Sequence, residues 1–276
     1  MTTAGATFRP RFIDGAAGRL FTIHHPPRGS HDRGDVLYLP PFAEEMNCAR
    51  RMAALQARAL ADAGFGVLLL DPYGCGDSAG DIDDATWAIW RDDALAAAHW
   101  LGRDGPRPLT LLGLRLGGLL ALDLAAAHPG LAERAVLWQP VVNGATFLTR
   151  FLRLRVAAAM AGSKAETTKD LRARFKAGET LEIAGYALSP DLAAAIDGLR
   201  LAPLGAKAGL PIHWFELAGE ADRPLPPASA RAIDAWRDAG LGIGVETICG
   251  DPFWAIQETT LAPALIAATT RALVGT

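Results

Sequence analysis

The chain has 276 residues, half of them hydrophobic and 21% charged, so it is long and apolar enough to fold around one substantial core. A net charge of −3, from 27 Lys and Arg and 30 Asp and Glu residues, excludes an overall basic surface for nucleic acid. No apolar run approaches the ~18 residues of a membrane helix, and residues 1–10 lack the apolar stretch of a signal peptide. Three scattered cysteines without zinc or haem spacing predict a cytoplasmic protein with no metal and no cofactor.

Short β-rich runs alternate with longer helical patterns along the chain. The predicted elements are strand 21–25, strand 36–39, helix 47–63, strand 66–70, helix 85–101, strand 109–112, helix 116–127, strand 135–138, strand 212–217, helix 228–239, strand 245–249 and helix 253–273. Continuous apolar strands that alternate with helices predict a parallel sheet covered on both faces. In such sheets, functional sites lie beyond the carboxyl ends of the strands.

Residues 141–206 interrupt this alternation with a helical pattern. They predict a cap inserted into a core formed by residues 1–140 and 207–276. Between residues 150 and 176 only Glu166 and Asp170 oppose eight cationic residues, which are Arg150, Arg153, Arg155, Lys164, Lys169, Arg172, Arg174 and Lys176. This excess predicts either a solvated helix face or a lid that attracts anionic ligands, and the sequence leaves both interpretations open.

The stretch 109–118 has the pattern of a nucleophile elbow, in which a strand runs through a Gly-x-x-x-Gly turn into a helix. Arg115 stands where this pattern expects Ser, and a guanidinium cannot act as a nucleophile because it stays protonated. No His follows His213, although the general base belongs in the loop after the last strand. Asp222 stands at the position of the triad acid. With one of three triad members in place, the sequence argues against serine-type acyl transfer.

Five segments carry a family resemblance: residues 39–47, 74–81, 113–115, 138–142 and 250–254. Together they resemble the α/β-hydrolase superfamily over nearly the full length. More narrowly, they are similar to the exosortase A system-associated hydrolase 2 group, found with bacterial exopolysaccharide and PEP-CTERM protein-sorting genes. The resemblance implies an α/β-hydrolase fold, with a mostly parallel central sheet flanked by helices and an inserted helical cap.

The strand ends predict a polar pocket around Arg115. Its other candidate substrate-binding residues follow the predicted strands: Glu44, Glu45, Gln139 and Asp251. Arg115 needs a carboxylate partner or an anionic ligand, so it either binds a carboxylate, phosphate or sulfate or forms a salt bridge with Glu44, Glu45 or Asp222.

Catalysis by other groups is a separate possibility. Cys75 and Ser78 are the candidate nucleophiles, and Asp222 or one of the glutamates is the candidate base if like-charge crowding raises its pKa. The Gly74-x-Gly76-x-Ser78 turn is more often structural than catalytic.

The leading hypothesis is therefore a hydrolase-family protein that acts on an ester, a thioester or an acylated sugar and is tied by resemblance to exopolysaccharide or exosortase systems. The alternative is a catalytically degenerate protein that binds an anion or another ligand, or acts as a scaffold, on the same fold. The expected partner is a small acyl or anionic substrate, with no nucleic acid and no membrane span. A homo-oligomer is possible.

Overall fold

A computed structural model describes residues 8–29, 32–159, 166–220, 223–256 and 258–275. Its main element is an eight-stranded sheet with the strand order β1-β2-β4-β3-β5-β6-β9-β10. The strands are β1 (Arg9–Asp14), β2 (Arg19–His25), β3 (Asp35–Leu39), β4 (Gly66–Leu70), β5 (Leu109–Leu114), β6 (Arg134–Trp138), β9 (Ile212–Ala218) and β10 (Ile243–Cys249). The six strands from β4 to β10 in this order run parallel, whereas β1 and β2 are antiparallel. The predicted α/β-hydrolase fold with a mostly parallel sheet is confirmed.

Helices cover both faces of the sheet. They are α1 (Glu44–Asp62), α2 (Trp87–Leu101), α3 (Leu116–Ala127), α4 (Gly144–Ala159), α5 (Thr168–Lys176), α6 (Pro190–Gly198), α7 (Leu201–Ala208), α8 (Pro227–Asp238) and α9 (Pro263–Val274). One apolar cluster lies under α2 and α3 and a second under α1 and α9, so each face of the sheet has its own core layer. None of the described helices is long and apolar enough to cross a membrane.

The last helix begins ten residues later than the sequence pattern predicts. It starts at Pro263, whose fixed φ suits the first turn of a helix. Phe253 and Trp254, which the pattern placed in this helix, instead pack edge to face at 5.0 Å between ring centroids in the loop after β10. Both rings are buried in the core layer under α1 and α9. The helix prediction was therefore wrong at Phe253 and Trp254. These residues are apolar because they pack in the core, and their spacing happens to match that of a helix face.

The predicted cap segment contains α4, α5, α6 and α7 together with a hairpin that the helical pattern did not indicate. This hairpin pairs β7 (Leu181–Ile183) with β8 (Tyr186–Leu188). Helix α7 packs against α3 and α8, so the chain rejoins the core layer before residue 206. The division into core and cap stays a prediction.

Several of the cap's cations are neutralised within the cap itself. Arg155 and Arg174 share Glu166, at 2.9 and 2.7 Å, and Arg172 pairs with Asp197. Among the described residues of this segment, the excess positive charge therefore rests on the remaining cations, which are Arg150, Arg153, Lys169 and Lys176. Lys164 lies outside the described residues.

The turn between β5 and α3 depends on glycines because backbone crowds it from two sides. A Cβ on Gly117 would overlap the carbonyl oxygens of Leu39 and Pro40 at the end of β3. A Cβ on Gly113 would overlap the carbonyl oxygen of Gly117. The glycines therefore allow α3 to start directly over the ends of β3 and β5.

We expect Gly117→Ala to lower the free energy of unfolding by about 1–3 kcal/mol, because the added methyl group has no space beside Leu39. Gly102→Ala is the matched control, since nothing lies within 4 Å of its Cβ position, and it should stay within about 0.5 kcal/mol of wild type. Urea unfolding of the three proteins measures both effects. Equal stability of the two variants would contradict the crowding at the turn.

Candidate functional site

Arg115 lies at the apex of the turn, in a strained backbone conformation. Its φ of 55° and ψ of −115° are uncommon for a residue with a side chain. Its N–H donates to the Trp138 carbonyl at 3.0 Å, and its own carbonyl accepts from the N–H groups of Gly118 and Val141 at 3.1 Å each. These bonds fix the turn to the end of β6 and the loop beyond. The side chain is thereby projected over the sheet edge, as in a nucleophile elbow.

The guanidinium of Arg115 forms an ion pair with Glu45. Its Nε and Nη2 both donate to Glu45 Oε1 at 3.2 Å, and its Nη1 donates to the Gln139 carbonyl at 3.3 Å. The guanidinium carbon lies 5.4 Å from the centroid of the Trp254 ring, within the range of a cation–π contact. Of the two predicted partners that the structure describes, Glu44 and Glu45, Arg115 is paired with Glu45.

The ion pair with Arg115 satisfies only one of the two carboxylate oxygens of Glu45. Its side chain is 22% exposed, but the Oε2 atom is fully buried and has no hydrogen-bond partner among the described residues. Burial raises the pKa of Glu45, and the Arg115 guanidinium opposes the rise without cancelling it. Protonation of this group would release Arg115 for another anion.

Glu44, the neighbouring residue, faces the cap. The Tyr186 hydroxyl donates to Glu44 Oε2 at 3.1 Å, and Asn47 Nδ2 donates to the Tyr186 oxygen at 2.9 Å. These contacts join the first turn of α1 to the β7–β8 hairpin. They do not involve Arg115, so the two adjacent glutamates have different partners.

Gln139 closes the opposite side of the site. Its backbone has a φ of 43°, and its side-chain oxygen accepts from the Leu217 N–H at 2.6 Å. Its Nε2 donates to Glu216 Oε1 at 2.8 Å, while Trp214 Nε1 donates to Glu216 Oε2 at 2.7 Å. Glu216 is buried, and burial raises its pKa. The sequence analysis missed Glu216, although an acidic residue inside an apolar strand was a visible signal.

The loop after β10 brings Trp254 beside Arg115, where the fold pattern expects the general base. The sequence pattern placed Trp254 in the last predicted helix and gave no sign of this contact. Its ring is buried and still contacts the guanidinium, so it serves both packing and the site. Asp251 is exposed and does not line the cavities beside Arg115. Asp222 lies outside the described residues.

Cys75 and Ser78 line neither of the cavities beside Arg115. Cys75 lines a small cavity of about 20 Å³ with Trp87 and Trp90, and burial and the Asp71 carboxylate raise its pKa to about 12. The Ser78 hydroxyl donates to the Asp71 carbonyl at 2.5 Å and accepts from the Phe21 N–H at 2.8 Å. These environments favour a neutral thiol and a structural hydroxyl, and they weigh against the predicted nucleophilic roles.

Two cavities meet at Arg115. The aromatic chamber, of about 320 Å³, is defined here by Phe42, Phe147, Phe151, Leu154 and Trp254. The polar chamber, of about 220 Å³, is defined by Gln139, Asn143, Thr146, Glu216 and Ser229. Arg115, Phe147 and Arg150 line both. Within the described parts of the chain, no group of three His, Cys, Asp or Glu side chains could hold a metal ion.

The raised pKa of Glu45 predicts a pH-dependent contribution to stability. A carboxyl group with a raised pKa binds more protons in the folded state, so it lowers the free energy of unfolding as pH rises from 4.5 through the raised pKa. Glu45→Gln does not titrate. Relative to this variant, wild type should become less stable across this interval. Denaturant titrations from pH 4 to 8 measure the difference, and a constant difference would contradict the raised pKa.

The raised pKa of Cys75 predicts slow alkylation. In the native protein at pH 8, iodoacetamide should modify Cys75 at least about 100-fold more slowly than the exposed Cys249. Peptide mass spectrometry of timed samples measures both rates, and unfolded protein serves as the control in which the two should converge. Faster labelling of Cys75 in the native state would restore it as a nucleophile.

Residues 32–187 match the family described as Serine aminopeptidase, S33 (Hydrolase_4), which covers more than half of the chain. Among curated proteins, the chain is similar to the mitochondrial palmitoyl-protein thioesterase ABHD10 of Homo sapiens and Pongo abelii, at 32% identity over 123 residues. This match covers 44% of the chain and spans only 37% of the length of these relatives.

Solved structures with the same fold match over nearly the whole chain. Est1E from Butyrivibrio proteoclasticus superposes with a TM-score of 0.64 at 15% identity, covering 96% of each chain. The mouse α/β-hydrolase domain-containing protein 10 superposes with a TM-score of 0.60 at 16% identity, covering 96% of this chain and 98% of its own. At such identities the likeness concerns the fold alone. The family match is carried by the sequence, and the chain belongs to the Serine aminopeptidase S33 (Hydrolase_4) family of α/β-hydrolases.

Proposed function

We propose that the protein binds an ester, a thioester or an acylated sugar, or the acid derived from one, at Arg115, and that it does so without serine-type hydrolysis. The observation that carries this proposal is the Arg115 guanidinium at the apex of the elbow. A guanidinium has five N–H groups, and the bonds to Glu45 and Gln139 leave some of them for a ligand oxygen. It can bind an oxyanion there but cannot attack an acyl carbon.

The start of α3 supports the same proposal. The helix begins at Leu116, directly after Arg115, so its first N–H groups have no partner within the helix. These groups and the helix dipole favour negative charge at the elbow. The chemistry of the turn would thus be anion recognition, with the triad incomplete because Arg115 replaces Ser and Trp254 stands where the base is expected.

Hydrolysis by other groups is the second candidate function. It is favoured by membership of a hydrolase family and by the similarity to a palmitoyl-protein thioesterase. Cys75, Ser78 and Asp222 stay the proposed catalytic groups for that case, with Asp251 as a further proposed binding residue. The link to exopolysaccharide or exosortase systems, the cytoplasmic location and a homo-oligomeric state are also proposals, of which the first rests on the motif resemblance.

A substrate panel distinguishes the two candidates. Wild type, Arg115→Ala, Cys75→Ala and Asp222→Asn, purified identically, are assayed with acyl esters and acyl thioesters of short and long chains. We expect the same background rate in all four proteins, because Arg115 cannot act as a nucleophile and the buried Cys75 thiol stays neutral. Turnover that is lost in one variant only would overturn the non-catalytic proposal and identify the working residue.

A binding assay tests the role of Arg115 directly. Millimolar octanoate should raise the melting temperature of wild type, because a ligand that binds only the folded state stabilises it. Arg115→Met should lose this rise. Arg271→Met, which removes an exposed arginine paired with Glu246 far from the elbow, is the control and should keep it. An equal rise in all three proteins would contradict anion binding at Arg115.

A further inference from the structure

The two chambers differ in chemistry, and both reach the elbow. The aromatic chamber extends from Arg115 on the side of Glu45 and Trp254, and the polar chamber extends on the side of Gln139 and Glu216. Because Arg115 and Arg150 line both, a molecule that occupies both chambers passes two guanidinium groups at their junction.

The charges at this junction are unequally compensated. Arg115 has Glu45 as its partner. Arg150, in contrast, is exposed and forms no ion pair with any described residue. The other carboxylates that line the chambers have hydrogen-bond donors of their own: Tyr186 and Asn47 donate to Glu44, and Trp214, Gln139 and Ser229 donate to Glu216. The charged group that is left for a ligand is therefore Arg150, a cation on α4.

Buried aromatic rings form one wall of the aromatic chamber. Phe42 packs edge to face against Phe147 and Phe151, with ring centroids 6.0 and 5.0 Å apart, and all three rings are buried. Leu154 is 49% exposed at the edge of the chamber. The volume of about 320 Å³ lies at the lower end of the range for ligand sites, which suits one short apolar chain.

The polar chamber offers hydroxyl and amide groups instead. Thr146 is exposed in the first turn of α4, and Asn143 Oδ1 accepts from the Thr146 N–H at 3.0 Å, which leaves the Asn143 amide N–H groups toward a ligand. Ser229 and Gln139 complete this wall. Such a lining matches a group that carries hydroxyls.

We infer that the site takes a single-chain amphiphile with one anionic group, an inference that rests on the proposed anion binding at Arg115. The short apolar chain lies in the aromatic chamber, the anion lies between Arg115 and Arg150, and a hydroxyl-bearing group lies in the polar chamber. Arg150 is thus a binding residue supplied by α4.

The probes separate the three parts of the ligand. They are the octyl glycerol phosphodiester, which has chain, anion and hydroxyls; the octyl methyl phosphodiester, which lacks the hydroxyls; 1-octanol, which lacks the anion; and dimethyl phosphate, which lacks the chain. Isothermal titration calorimetry on the full chain, below the concentration at which the probes aggregate, should rank their affinities in that order, with the first tightest and the last two weakest.

Five exposed positions on α4 allow variants that leave the core intact. Arg150→Gln should weaken both charged amphiphiles about tenfold, because it removes a charge-assisted hydrogen bond. Its matched control, Arg153→Gln, changes an exposed arginine of the same helix that lines neither chamber and should bind as wild type does. Leu154→Glu should weaken the same probes, whereas Ala157→Glu should not. Thr146→Val should weaken only the glycerol diester, to the level of the methyl diester.

The outcomes distinguish this inference from the proposed function. If Arg115→Met abolishes binding but Arg150→Gln, Leu154→Glu and Thr146→Val all bind as wild type does, anion binding at Arg115 stands and the two-chamber inference is overturned. If Arg115→Met itself binds normally, the proposed function also fails. Absence of wild-type binding by every probe up to millimolar concentration, or equal affinity for 1-octanol and the charged amphiphiles, would overturn the inference as well.

Discussion

Backbone hydrogen bonds to Trp138, Gly118 and Val141 hold Arg115 at a positive φ. This backbone conformation sets the direction in which the long, charged side chain leaves the turn. The residue cannot fold back onto the sheet, because α3 begins at the next residue and the glycines around it leave no spare volume. The guanidinium therefore has to lie over the carboxyl ends of the strands. Every other feature of the site is arranged around that fixed charge.

A cation at this place requires compensation from the surrounding loops. Glu45 supplies it from the first turn of α1, the Gln139 carbonyl supplies a further acceptor, and Trp254 supplies an aromatic ring. Glu45 follows β3 and Trp254 follows β10, where a working serine hydrolase has an oxyanion-hole N–H and the general base. In a serine hydrolase, these segments would position a reacting carbonyl group. In this protein, they position the partners of the Arg115 guanidinium. The fold is thus preserved while the chemistry available at its centre is different.

The sequence was sufficient for the sheet core and for the elbow. Strands such as Gly66–Leu70 are continuous apolar runs, and α3 is bounded by the elbow and the residues before Gly130, so local pattern predicts both. The edge strand β1 was missed because most of its side chains are exposed, and the cap hairpin was missed because each of its strands has only three residues. Trp254 was missed for a different reason: its neighbour in the site, Arg115, is distant in sequence, and no spacing rule joins them. Likewise, the desolvation that raises the pKa of Cys75 comes from residues brought together only by folding.

The hydrogen bond between Tyr186 and Glu44 ties the cap to the same short backbone segment that carries Glu45. The Tyr186 hydroxyl in the hairpin donates to Glu44, and the Arg115 guanidinium at the elbow donates to Glu45. A displacement of the hairpin would therefore act on the first turn of α1, which also carries the partner of Arg115. The hairpin and the ion pair at the elbow are thereby joined through one helical turn, so the position of the hairpin and the compensation of the Arg115 charge depend on the same stretch of backbone.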